Sequence, residues 1–212
     1  IMPFIMILGG IGFMIGTGGS ALVSYTLGTG DKEKANRYFS MMVYFTILAG
    51  ILLTVLGIIF VRPMAELFGA DESMMDTCVL YGRIVIAFNA AYMLQNIFQS
   101  FFVVAEKPRL GLIVTIAAGV TNMVLDALFV GVFKWGIVGA ALATGISQSI
   151  GGLLPLLYFA LPNNSPLQLT RTGFELAPLL KASSNGCSEL MSNVASSLIG
   201  IVYNYQLMRL GG

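Results

Sequence analysis

A single carboxylate, Asp126, interrupts "GVTNMVLDALFVGVF" (119–133), a run otherwise free of charge. A charged group deep in hydrocarbon costs at least a few kcal/mol, so it has to face a partner, a cavity or a path for a proton or ion. Asn122 lies four residues earlier, which on a helix puts the two side chains on one face, one turn apart. The turn that follows centres near Trp135, with Asp126 and Thr144 nine residues to either side. In an antiparallel helical hairpin these two positions share a depth. A carboxylate, an amide oxygen and a hydroxyl are hard oxygen ligands suited to Na⁺, and a protonated Asp126 would hydrogen-bond to the same partners. The competing reading is that Asn122 and Asp126 only glue two helices together.

Further polar groups lie in apolar surroundings. Glu189 and Asn193 share a face at four residues' spacing, "MLQNIFQS" supplies Gln95, Asn96 and Gln99, and Gln148 closes "GAALATGISQ". Such amides either line a wet cleft that receives substrate or make interhelical hydrogen bonds, and both readings stand. Arg83, two turns into its apolar stretch, has a stem long enough to snorkel outward. Catalysis is poorly served: the chain has no His, and no nucleophile, base and orienting group are spelled out together. "GGIGFMIGTGGS" invites a phosphate-loop reading, but no GK[ST] follows and the run stays apolar on both sides. Gly12, Gly16 and Gly19 are therefore expected to serve close helix packing. Cys78 and Cys187 lie far apart in no metal-binding or redox spacing and read as small apolar fillers.

Positioning these groups requires helices in lipid. Hydrophobic residues make up 57% of the 212 and charged ones 10%, against about 25% charged in soluble domains, so the excess cannot be hidden in one soluble core. Six apolar stretches emerge, at about 1–27, 37–61, 78–104, 110–133, 136–161 and 182–208. Each approaches or exceeds the ~20 residues that cross a bilayer as a helix. The expected fold is all-α, a polytopic transmembrane helix bundle. Lys32, Lys34 and Arg37, then Lys107 and Arg109, then Arg171 and Lys181 mark three connectors as cytoplasmic, so the first helix runs inward and the rest alternate. The net charge of +1 offers no basic surface for nucleic acid.

"LPNNSPLQLTRTGFELAPLL" is the longest break, and its prolines and asparagines read as an inter-lobe linker, in part an amphipathic helix on the cytoplasmic face. The expected division is 1–160 as one bundle, 161–181 as linker and 182–212 as the start of a second bundle. A weak echo of "GSALVSYTLG" (19–28) in "GAALATGISQ" (139–148) is compatible with a three-helix duplication. The chain begins with Ile1 in apolar sequence, without a recognisable signal peptide, and ends without a polar tail. It is expected to be a piece of a longer membrane protein.

"GTGGSALVSYTLGTGDKEKAN", "AEKPRL", "TNMVLDALFV" and "WGIVGAALATGISQ", in that order along the chain, closely resemble the multidrug and toxic compound extrusion (MATE) family, nearest its bacterial multidrug branch. The resemblance implies a twelve-helix antiporter of the plasma membrane, two six-helix lobes around a central cleft. This chain would hold helices two to six of the N-lobe, the linker and helix seven, its partners being membrane lipids and the remaining helices. Members export organic cations and amphipathic drugs against inward Na⁺ or H⁺, and no cofactor is implied. The family's N-lobe cation site uses an Asn and an Asp on helix five and a Thr on helix six, matching Asn122, Asp126 and Thr144. Its Asp on helix one has no counterpart here. The family's acidic residue on helix seven falls near Glu189, with Asn193 in its aligned place, a departure that would move the charge by one turn. Alternating access is expected to be coupled through Asp126, whose charge changes on protonation or Na⁺ binding, and Pro155, which removes one backbone hydrogen bond, is expected to supply a bend. Two rivals are a flippase for lipid-linked sugars from the same superfamily and a membrane assembly module that transports nothing.

Overall fold

The computed structural model describes residues 2–67 and 72–211. Seven α-helices follow one another: α1 (Met2–Gly28), α2 (Lys32–Leu67), α3 (Glu72–Ala87), α4 (Asn89–Val104), α5 (Pro108–Asp126), α6 (Gly136–Ala160) and α7 (Leu176–Gly211). Among the described residues there is no strand.

Local chemistry sets the helix ends. At the tight turn after α1, Gly30 adopts φ +86°, a left-handed conformation that only glycine enters freely. Asp31 then caps α2, its Oδ1 accepting the N–H of Lys34 at 3.0 Å. Pro108 opens α5 at a position where no N–H is required.

Four helices are long and apolar enough to cross a membrane, and α3 with α4, bent by 49°, makes a fifth span. The stretch expected as one helix over 78–104 is thus broken at Phe88. Two other expectations change. α7 is helical but does not reach the same apolarity over its described residues, because Ser183, Ser184, Asn185, Ser188, Glu189, Ser192 and Asn193 dilute it. The expected amphipathic helix in the linker is absent: residues 161–175 are non-helical, and α7 begins at Leu176, six residues before the expected boundary at 182.

Glycine lets α1 act as the hub. A Cβ on Gly12 would stand 2.9 Å from Met93 Cα, and one on Gly16 3.0 Å from Ile97 Cα, so α1 and α4 pack backbone to backbone. On the other side of α1, Gly18 faces Ala182 and Gly186 of α7, and a Cβ on Gly186 would meet the Met14 backbone. Gly50 of α2 lies likewise on Ala90 of α4. The tight packing expected of Gly12 and Gly16 is found, and Gly19 lies against the side chains of Met42 and Phe101.

One end of the bundle is closed by aromatic rings and a strap. Phe39, Phe98, Phe101 and Phe159 are fully buried, with Phe39 edge-on to Phe101 at 4.8 Å and to Phe159 at 5.0 Å. Over them the 161–175 segment runs along α2. The N–H of Gln168 donates to Asn36 Oδ1 at 2.9 Å, and that of Thr170 donates to Ser40 Oγ at 2.8 Å. Between them the Leu169 N–H turns to the Phe159 carbonyl of α6 at 2.8 Å. Alternate residues of an extended chain repeat every ~6.6 Å and residues four apart on a helix every ~6 Å, so the two registers match over this short stretch. The connectors that carry Lys32, Lys107 and Arg171 gather at this end, as the positive-inside pattern requires.

Candidate functional site

Asp126 is the last residue of α5 proper. Beyond it the chain widens into a π-helical turn, Ala127–Val132, in which the Phe133 N–H reaches back five residues to the Leu128 carbonyl at 2.9 Å. Phe129, Phe133 and Trp135 stack across this turn, with ring centres 5.1 to 6.1 Å apart. Such π turns in α-helices occur often at functional sites.

α5 and α6 form the expected hairpin. The tightest approach is Gly139 to Phe129, where an added Cβ would sit 2.9 Å from the Phe129 Cβ. Counting from that contact, Thr144 lies about two residues, or ~3 Å, farther from the turn than Asp126. The structure therefore staggers the two slightly where equal counting gave one depth. Asn122, Asp126 and Thr144 are all half-buried.

Two oxygens in this region are buried without a hydrogen-bond partner, Asp126 Oδ1 and Gln148 Oε1. A buried oxygen left without a donor is costly, and neither Asn122 nor Thr144 supplies one to Asp126 Oδ1. The Thr144 carbonyl accepts from Ser147 Oγ at 2.8 Å. Tyr81 of α3 is half-buried in the neighbouring span, and α3 packs on α6, the helix that carries Thr144. Nothing singled it out beforehand except that it is a polar-tipped ring in an apolar span, far from Asp126 along the chain. Donor type fits a hard monovalent cation or a proton: one carboxylate, one amide and one or two hydroxyls. Among the described residues no three His, Cys, Asp or Glu cluster as a metal site would.

The other cleft candidates do not converge on one place. Gln95 lies on Gly151 of α6. Asn96 is buried on the α1 side, its Nδ2 unpartnered, while Gln99 is exposed. Glu189 and Asn193 sit on α7, where Asn193 Nδ2 donates to the Glu189 carbonyl at 2.8 Å and Asn193 packs on Gly10 of α1. Arg83 is exposed, in keeping with an outward-reaching side chain.

The family model for MatE matches residues 1–128. The chain belongs to the MatE family. Among curated proteins this MatE chain is 27% identical over 158 residues to the multidrug export protein MepA of Staphylococcus saprophyticus, covering 74% of this chain and 35% of that one. It is 26% identical over 164 residues to MepA of Staphylococcus haemolyticus, covering 77% and 36%. The chain thus spans about a third of the length of these relatives. Solved structures agree on the fold. A MATE transporter in complex with MaD5 superimposes with a TM-score of 0.88 at 19% identity, covering all of this chain and 48% of that one. A multidrug resistance MATE family transporter superimposes at 0.86 in its inward-facing form (19% identity, 92% and 45% covered). Its outward-facing form gives 0.85 (18%, 93% and 44%). The MatE chain is accordingly a multi-pass membrane protein, placed in the plasma membrane in bacteria, of a family of multidrug efflux transporters.

Proposed function

We propose that this chain is most of the N-lobe of a drug antiporter, residues 1–160, with the inter-lobe linker and the first helix of the C-lobe after it. The whole protein exports organic cations or amphipathic drugs in exchange for inward H⁺ or Na⁺, by alternating access. Small-molecule drugs are its substrates, lipids and the remaining helices its partners, and no cofactor takes part. The observation that carries the reading is the buried, unpartnered Oδ1 of Asp126 at membrane depth in a MatE chain. A carboxylate held there is tolerated when a cation or proton visits it.

Asp126 supplies the charge, Asn122 its amide oxygen and Thr144 its hydroxyl, with Tyr81 close by. Loading this set with Na⁺ or a proton removes a buried negative charge and so favours a different arrangement of α3, α5 and α6. Transport follows if drug and coupling ion prefer opposite states, because each shifts the equilibrium only by its differential affinity. Gln95, Asn96, Gln99, Gln148, Glu189 and Asn193 remain candidates for the substrate side.

The test is Asp126→Asn in the full-length protein, reconstituted in liposomes with an imposed proton or sodium gradient. Ion-driven drug efflux is expected to vanish while expression and thermal stability persist. Normal coupled efflux by the variant would overturn the assignment, and a wild-type protein that moves no drug under either gradient would favour an assembly role.

A further inference from the structure

We infer that Phe88 and Gly145 form a positioning pair, which sets the geometry of the cation site by locking the break between α3 and α4 against the helix that carries Thr144. The inference rests on the reading of Asp126 as the coupling carboxylate and names residues that control it without touching the ion.

At the break Phe88 has φ −96° and ψ 6°, and its N–H bonds three residues back to the Val85 carbonyl at 3.1 Å, so the α-helical ladder stops there. The span bends by 49°. The two halves differ in how firmly they are held. α4 is clamped where Gly12, Gly16 and Gly50 bring two neighbouring backbones onto it, and bulky Phe98, Phe101 and Met93 are fully buried along it. α3 packs mainly on α2 and α6 and carries the half-buried Tyr81. Asn89, just past the break, leaves its Oδ1 buried and unpartnered, so the joint is not sealed by its own polar group.

The Phe88 ring fills the notch over Gly145, the residue after Thr144. A Cβ there would lie 2.5 Å from Phe88 Cγ. That atom sits on the ring's own rotation axis, so flipping the ring cannot relieve the clash; the helices must part or the side chain must leave its rotamer. The carbonyls of Thr144 and Gly145 each accept an extra bond, from Ser147 Oγ at 2.8 Å and Ser149 Oγ at 2.9 Å, and such back-bonding loosens and bends a helix locally. Ring and notch thus meet at the residue next to Thr144. Parting α3 from α6 at this notch therefore displaces Tyr81 relative to Thr144.

The experiment is a double-variant cycle on the full-length transporter in liposomes, reading the cation concentration (Na⁺ or H⁺, whichever drives the wild type) that gives half-maximal efflux. Gly145→Ala is expected to raise it by about ten- to a hundredfold, the size found when a group supporting a metal ligand is lost. Phe88→Ala combined with Gly145→Ala should bring the value back toward wild type. If Gly145→Ala does not fold, Phe88→Leu, which only partly empties the notch, should shift the same value with stability retained. Unchanged cation dependence in the foldable variants, or a double variant no nearer wild type than the single, overturns the inference. Asp126→Asn separates the two proposals: if it abolishes ion-driven efflux while these variants leave cation dependence intact, only the positioning role falls.

Discussion

At the scale of residues, the informative feature is a charge where the solvent forbids one. Asp126 is conspicuous in the sequence because every neighbour in its run is apolar, small or uncharged, and Asn122 follows from helical periodicity alone. Thr144 follows from counting around a hairpin, which holds to within about two residues because the Phe129–Gly139 contact centres the hairpin one residue before Trp135. The role proposed for Thr144 predicts that Thr144→Val, of nearly the same shape but lacking the hydroxyl, raises the cation concentration for half-maximal efflux by about tenfold, and that Thr144→Ser stays near wild type. Flux measurements on both variants check this. Tyr81 was out of reach of such counting, since only the packing of α3 on α6 sets it in the span next to Thr144.

At the scale of elements, small residues decide how close helices come. Gly12 and Gly16 read correctly as packing positions, whereas Gly18 and Gly186, where α1 and α7 approach backbone to backbone, carried no distinguishing sequence signal. Gly186→Ala would drive a methyl into the Met14 backbone, which no rotamer change can relieve. It is expected to destabilise the protein by about 1–3 kcal/mol, measured as a lowered thermal unfolding midpoint in detergent. The break at Phe88 was equally hidden. No Pro or Gly marks it, and the apolar pattern of 78–104 continues across it; on one side of the bend α4 is clamped to α1, α2 and α6, and on the other α3 packs on α2 and α6.

At the scale of the whole molecule, the strap over the basic end ties α2, α6 and α7 into one body. Its hydrogen bonds and its ion pair should contribute unequally. Ser40 is fully buried and accepts the Thr170 N–H, so Ser40→Ala strands that donor and is expected to cost about 1–3 kcal/mol. Arg37 and Glu175 meet at 2.9 Å, but their side chains remain 49% and 47% exposed, so Arg37→Ala should cost less than about 1 kcal/mol. Thermal unfolding of the two variants side by side in detergent tests the contrast. A midpoint lowered more by Arg37→Ala than by Ser40→Ala would mean that charge, not backbone pairing, holds the strap.

Composition and charge placement by themselves determined the class, the number of apolar stretches, the basic end and the position of Asp126. These are consequences of solvent, since lipid admits only helices with internally bonded backbones and penalises each charge it contains. The tertiary structure alone decided that one span is broken, that α7 begins at Leu176, and that the polar candidates divide among several interfaces instead of one cleft. It also decided that Asp126 Oδ1 stays unpartnered and that Phe88 meets Gly145. Those outcomes depend on which helix faces which, and periodicity within a helix carries no record of its neighbours.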